Sequence, residues 1–209
     1  MQFKFHAVVF DMDNTIHDLY AARFAAAGAV MSFCKLEGDL PFFLMNPDTP
    51  ALIEDCLREF RGFDDSEAIW LFKAVERNAL QIFAGMRELL SELKRAGVKL
   101  AIISNAKAED LALRVKELGL EGIFDVLVTP DMFGVKKPKP EVYLKTLELL
   151  DVLPSESVMI GDRSDRDVEP PRAAGISAVH AWYGSFDVRD KICAVSDSRE
   201  LISVLRKQV

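Results

Sequence analysis

Cysteine is scarce in this 209-residue chain: Cys34, Cys56 and Cys193 are three in number and far apart. That excludes a disulfide framework and offers no zinc-ligand spacing. Free thiols in a reducing cytoplasm are the expected state. No apolar run reaches the roughly eighteen residues a membrane span requires. The N-terminus enters a strand-like run without the layout of a secretory signal, so a cytoplasmic location is expected. Basic residues are outnumbered, 26 Lys and Arg against 33 Asp and Glu, for a net charge of −7. The basic face of a nucleic-acid binder is therefore missing, and neither nucleic acid nor membrane is an expected partner. A small anionic substrate is still allowed, because a metal ion and a few local cations can reverse the field inside one cleft. Internal repeats and low-complexity tracts are absent as well.

What is present is an alternation. Half of the residues are hydrophobic, and the length suits one α/β domain with a modest insertion. Short apolar runs at Phe5–Phe10, Val98–Ile103, Phe124–Thr129, Ser157–Ile160 and Ile176–His180 read as buried strands. Helical patterns at Phe83–Gly97, Lys107–Leu118, Lys139–Leu150, Asp167–Ala174 and Glu200–Lys207 separate or follow them, several closed by glycine. Such alternation predicts a parallel sheet covered on both faces. Residues 17–82 break the rhythm and read as helical, with helices over His17–Leu36, Thr49–Arg61 and Ser66–Gln81. The expected organisation is a core of residues 1–16 and 83–209 with an all-helical insertion of 17–82. Placed just after the first strand, that insertion suits a lid.

Four polar pieces follow predicted strands. Asp11-Met12-Asp13-Asn14-Thr15 places two carboxylates at the C-terminal edge of the first strand, where open α/β sheets bind ligands. One acid there can serve as nucleophile and metal ligand, the other as general acid and base. Ser104-Asn105 offers a hydroxyl and a backbone N–H to an anionic oxygen. In Lys136-Lys137-Pro138-Lys139-Pro140 the prolines hold the loop extended, so that Lys136 or Lys137 can aim an ammonium into a pocket. Gly161-Asp162 and the acids Asp165 and Asp167 can complete a hard oxygen shell suited to Mg2+, although Asp165 or Asp167 is equally suited to capping the next helix.

Taken in order, these pieces resemble the four motifs of the haloacid dehalogenase (HAD) superfamily: Asp-x-Asp-x-Thr at 11–15, Ser104, Lys137-Pro138, and Gly-Asp-x-x-x-x-Asp at 161–167. Asn14 stands where glycine is frequent, a form similar to that of some phosphatase branches. The resemblance implies a three-layer α/β/α Rossmann-like core with the first strand central, and a C1-type helical cap. It implies Asp11 as the nucleophile that becomes an aspartyl-phosphate. Asp13 would be the acid and base, raised in pKa by negative neighbours, and its backbone carbonyl would bind Mg2+. Thr15 would fix the loop and, with Asn105, meet the substrate; in the insertion Arg23, Arg58 and Arg61 are either contacts for a second anionic or hydroxylated substrate group or solvated helix residues. Ser104 would hold the phosphoryl group and Lys137, ahead of Lys136, would bridge it to Asp11. Asp162 would bind the metal directly, and Asp167 through water or by orienting Lys137.

The function so implied is Mg2+-dependent hydrolysis of a small phosphorylated metabolite. A phosphomutase would use the same residues. A non-catalytic phosphate-binding or regulatory protein would be expected to lack one of Asp11, Asp13, Lys137 or Asp162, and all four are present. Trp182-Tyr183-Gly184 reads as packing, and Asp18 either as an N-cap or as part of the site's mouth.

Overall fold

The computed structural model describes residues 3–35, 66–185 and 194–206. Strand β1 (Ala7–Phe10) is buried at all four positions, as expected of a strand covered on both faces. It is followed by α1 (Leu19–Cys34) and α2 (Ser66–Ala79), and then by α3 (Met86–Arg95), β2 (Lys99–Ile103), α4 (Ala108–Glu117) and β3 (Val126–Val128). The chain continues through α5 (Pro130–Phe133), α6 (Pro140–Leu150), β4 (Ser157–Gly161), α7 (Glu169–Ala173), β5 (Ser177–Ala181), β6 (Ala194–Val195) and α8 (Leu201–Leu205). The six strands form one sheet in the order β3-β2-β1-β4-β5-β6, and every pairing is parallel. The expected α/β class is borne out.

Register sets up the site. Phe10 lies opposite Ile102 on one side and Ile160 on the other. The strands on either side of β1 therefore end level with it; β2 and β3 build one half of the sheet, and the chain then crosses from β3 to β4 on the other side of β1 to build the second half. That is a topological switch point. Side chains alternate across the pleat. Ala7, Val9, Ala101, Ile103 and Met159 on one face pack with Val142, Tyr143 and Leu147 of α6. Helix α3 buries Met86, Leu89, Leu90 and Leu93, the apolar stripe of an amphipathic helix, and packs on β2.

The chain divides into two compact units, residues 1–17 with 82–209, and residues 18–81. In the second unit, Ala26, Ala27 and Val30 of α1 pack on Ala68 and Phe72 of α2; the alanines let the helices approach closely. Asp18 caps α1, its carboxylate accepting from Ala21 N at 2.8 Å. That is the local of its two expected roles. The expected helix Thr49–Arg61 lies outside the described residues.

Some elements differ from expectation. The helix expected over Asp167–Ala174 opens instead with a π-helical turn at Ser164–Val168 and becomes α-helical only at Glu169. Pro170 and Pro171 occupy its first turn, where missing N–H donors cost nothing. The short α5 and the two-residue β6 carry too little periodicity to be read from sequence. Among the described residues, no helix is long and apolar enough to cross a membrane.

Candidate active site

The loop after β1 begins inside the sheet: Asp11 N donates to Ile160 O of β4 at 2.8 Å, extending the ladder. Asn14 has φ of 59°, a left-handed conformation that glycine and asparagine tolerate best. This accounts for asparagine where related loops carry glycine. Thr15 is buried; its carbonyl accepts from the Tyr183 hydroxyl at 2.7 Å, and its own hydroxyl has no partner among the described residues.

Across the sheet edge, the structure brings Asp11, Asp162 and Asp167 together. All three are buried, with carboxylate oxygens within 4.8 Å of one another. Lys137 is buried among them, its Nζ donating to Asp11 Oδ1 at 2.5 Å and to Asp167 Oδ1 at 2.6 Å. Lys136 is exposed, so the two expected candidates separate by burial. Asp167 Oδ2 accepts from Arg163 N at 3.1 Å. The acid is thus an anchor for Lys137 and for its own turn, and neither Asp165 nor Asp167 caps α7; Asp165 pairs with Arg163. Gly161 makes this possible, since a Cβ there would lie 2.2 Å from Asp167 Cβ. His180, fully buried on β5, shares a hydrogen bond with Asp162 O at 2.9 Å and steadies that loop.

Asn105 requires a correction. Both polar atoms of its side chain, expected to meet substrate, are bonded to the Lys137 backbone: Nδ2 donates to Lys137 O and Oδ1 accepts from Lys137 N, each at 3.0 Å. Its side chain places the lysine loop. Ser104 is buried, and its hydroxyl oxygen accepts from Ala106 N at 3.1 Å, which leaves the hydroxyl hydrogen available to an anion.

The electrostatics are strained in one direction. Burial pushes the Asp11 carboxyl up to about 6, assisted by Asp167 and Asp13 and opposed by Lys137. Burial, with Asp11 and Asp167, also raises Asp162. For Lys137, burial alone would lower the ammonium; Asp11 and Asp167 more than reverse it. Three carboxylates face one ammonium, which leaves two surplus negative charges when all are ionised. Hard carboxylate oxygens with unbalanced charge fit a divalent cation such as Mg2+. Asp11 and Asp162 are the acids placed to ligate one directly.

Asp13 stands outside this carboxylate cluster. Its side chain is held by a residue that sequence reading passed over: Arg114 Nη1 donates to Asp13 Oδ1 at 3.0 Å and to Oδ2 at 2.7 Å. His17, fully buried, lies 2.9 Å from Asp13 Oδ1 through Nε2. The expected negative neighbour is present in Asp11, since the charges of the two acids act on each other, but a guanidinium also stands beside Asp13. No local signal marks Arg114, which lies 101 residues away. Arg23 pairs with Glu76 at 3.1 Å within the helical unit, and Arg58 and Arg61 lie outside the described residues.

Trp182-Tyr183-Gly184 does more than pack. Tyr183 anchors Thr15, sets its ring edge-on to Phe83 with centroids 4.8 Å apart, and brings Gly184 against the loop after β1. A Cβ on Gly184 would lie 1.6 Å from Asn14 O. Gly184→Ala is therefore expected to displace the loop. It should lower the thermal midpoint by an amount equivalent to about 1–3 kcal/mol and cut activity sharply. Gly28→Ala, exposed inside α1 with nothing among the described residues within 4 Å of the added methyl, is the contrasting control, expected to hold the midpoint or raise it by the equivalent of up to about 1 kcal/mol. Equal behaviour of the two variants would refute the assignment.

With this geometry in hand, the comparisons are specific. The profile of the haloacid dehalogenase-like hydrolase family matches residues 8–181. A phosphorylated carbohydrates phosphatase of Thermotoga maritima is 33% identical over 217 aligned residues, covering 96% of this chain and 98% of that protein. A phosphoglycolate phosphatase of Aquifex aeolicus is 40% identical over 104 residues, but the match spans only 49% of this chain and 48% of the relative. The crystal structure of a proposed β-phosphoglucomutase from Thermotoga maritima superposes with a TM-score of 0.77 at 27% identity, over 95% of this chain and 97% of that one.

Proposed function

Since the chain belongs to the haloacid dehalogenase-like hydrolases, we propose that it is a Mg2+-dependent phosphatase acting on a small phosphorylated metabolite through an aspartyl-phosphate on Asp11. The observation that carries this reading is the Asp11–Lys137–Asp167 chain of buried contacts at the switch point, with Asp162 alongside. Asp11 attacks phosphorus while the bond to the ester oxygen breaks, and the departing oxygen takes its proton from Asp13. Asp13 then removes a proton from water. The water oxygen attacks phosphorus, the bond to Asp11 breaks, and inorganic phosphate leaves.

A carboxylate approaching a phosphate dianion meets charge repulsion, so catalysis here is largely positioning and electrostatic stabilisation. Lys137 offsets charge at Asp11 and at the phosphoryl oxygens. The Ser104 hydroxyl and backbone N–H groups of the loops hold those oxygens. Asp11, Asp162 and the Asp13 carbonyl are the groups that would hold Mg2+. Bound there, the ion supplies Lewis-acid neutralisation of the transferring group.

Names among the relatives support a phosphorylated small molecule as substrate, and the scarcity of cysteine accords with a cytoplasmic setting. The test is phosphate release from a panel of sugar phosphates, phosphoglycolate and nucleotides. Release that stops with chelator and returns with Mg2+ is expected. Conversion of a sugar phosphate to its isomer without phosphate release would make the protein a mutase. Inertness of folded, Mg2+-binding protein toward the whole panel would sink the hydrolase reading.

A further inference from the structure

We propose that Arg114 is a positioning residue for Asp13, fixing the carboxyl that serves the leaving oxygen. The inference rests on the phosphatase reading above, which makes Asp13 the acid.

The geometry is specific. Arg114 lies on α4, the helix that follows the Ser104 loop, between the buried Leu111 and Val115. An arginine on such a helix flank ordinarily extends into water. This one folds inward, with its side chain 16% exposed, and spans both oxygens of Asp13 from Nη1. From the other direction comes His17. Its ring is fully buried and Nδ1 has no partner among the described residues. The tautomer that fits carries its hydrogen on Nε2 and donates it to Asp13 Oδ1. The Asp13 carboxylate is thus gripped by Arg114 from α4 and by His17 from four residues further along its own loop.

A part-exposed ion pair contributes little to stability. As a stabilising device the Arg114–Asp13 pair has small value, but as a constraint on a loop side chain it has a large one. A catalytic acid must come within hydrogen-bond reach of the oxygen it serves, and small misplacements of a reacting group are costly in rate. Arg114 ties the helix after the second motif to the acid of the first, and so aligns Asp13 with the groups that hold the phosphoryl oxygens.

The experiment compares leaving-group release in the first turnover, before water attacks, for two esters. One is p-nitrophenyl phosphate, whose nitrophenolate departs without a proton; the other is an alkyl phosphate chosen from the panel, whose alkoxide needs one. The proteins are wild type, Arg114→Ala, Arg114→Lys and, as reference, Asp13→Asn. Arg114→Ala is expected to slow the alkyl ester on the order of 10- to 100-fold, with KM little changed and the nitrophenyl ester much less affected. Asp13→Asn should show the same bias at greater size. Arg114→Lys should fall between Arg114→Ala and wild type, and added guanidinium ion should restore part of the loss in Arg114→Ala.

Equal slowing of both esters would overturn the proposal in favour of a general structural role. A raised KM with unchanged first-turnover rate would overturn it in favour of a direct substrate contact. Wild type inert toward both esters would remove the phosphatase reading itself. Asp13→Asn without ester bias would remove the acid role of Asp13. These two results are distinguishable from failure of Arg114 alone.

Discussion

Asp11→Asn is expected to abolish turnover and, without divalent cation, to raise the thermal midpoint. The first effect follows from deleting the proposed nucleophile: an amide does not form the acyl-phosphate, and the loss should be about 10⁴-fold or more. The second follows from the crowding of charge. Burial, helped by the neighbouring acids and opposed by Lys137, pushes the Asp11 carboxyl up to about 6 in the folded protein, against 3.8 for the free side chain. The folded chain therefore holds a proton more tightly than the unfolded one. Stability falls as pH rises from about 4 through 6, and the deficit persists above that window. At pH 7.5 the wild type carries it and the asparagine variant does not. Relief is on the order of 3 kcal/mol, or several degrees in midpoint for a chain of this size. Scanning fluorimetry in chelator at pH 7.5 checks it, with a wild-type scan at pH 5 as the parallel case. Added Mg2+ should reverse the order, since binding to the folded state stabilises by mass action and the variant lacks a ligand. A lower midpoint for Asp11→Asn in chelator would show that the buried acids are not in conflict.

Lys137→Met has the opposite sign. Methionine approximates the length of the stem while removing the ammonium that bridges Asp11 and Asp167. Removing one partner of a buried pair leaves the other uncompensated, at a cost of about 3–5 kcal/mol. Here two carboxylates lose their partner together. Phosphate release should fall by about 10²–10³-fold, the scale for loss of one electrostatic donor at a transition state. Combining it with Asp11→Asn should restore part of the stability, because residues in one charge network couple strongly. Additive losses would mean that Lys137 is not balancing Asp11. Urea denaturation of the single and double variants provides the numbers.

How far the sequence reached can be seen from individual residues. Asp11, Ser104, Lys137 and Asp162 were findable because each follows a short apolar strand run, and a parallel sheet brings such run-ends to one edge. The strands themselves were legible for the same reason: Ala7–Phe10 and Ser157–Gly161 are buried throughout, and burial on both faces leaves an unbroken apolar signature. The family resemblance ranks Lys137 ahead of Lys136, and burial separates the two. The rest depended on partners far along the chain. Asn105 reads like any turn asparagine until Lys137 is placed beside it. Arg114 reads like a solvated helix residue until Asp13 is. Gly184 follows an aromatic pair that looks like packing, and only the approach of Asn14 O shows why no side chain fits. Strand β6, two residues long, has no period to detect, and the π-helical turn at Ser164–Val168 departs from the helix that local pattern suggests.

The Asn105 grip on Lys137 has one further consequence. What Asn105 recognises is the main-chain N–H and C=O of one residue, and every residue other than proline presents the same pair. The hold on the loop is therefore separate from the charge that the loop delivers. Lys137→Met strips the ammonium from over Asp11 while both Asn105 bonds keep their main-chain partners, so anchoring and charge can be varied apart.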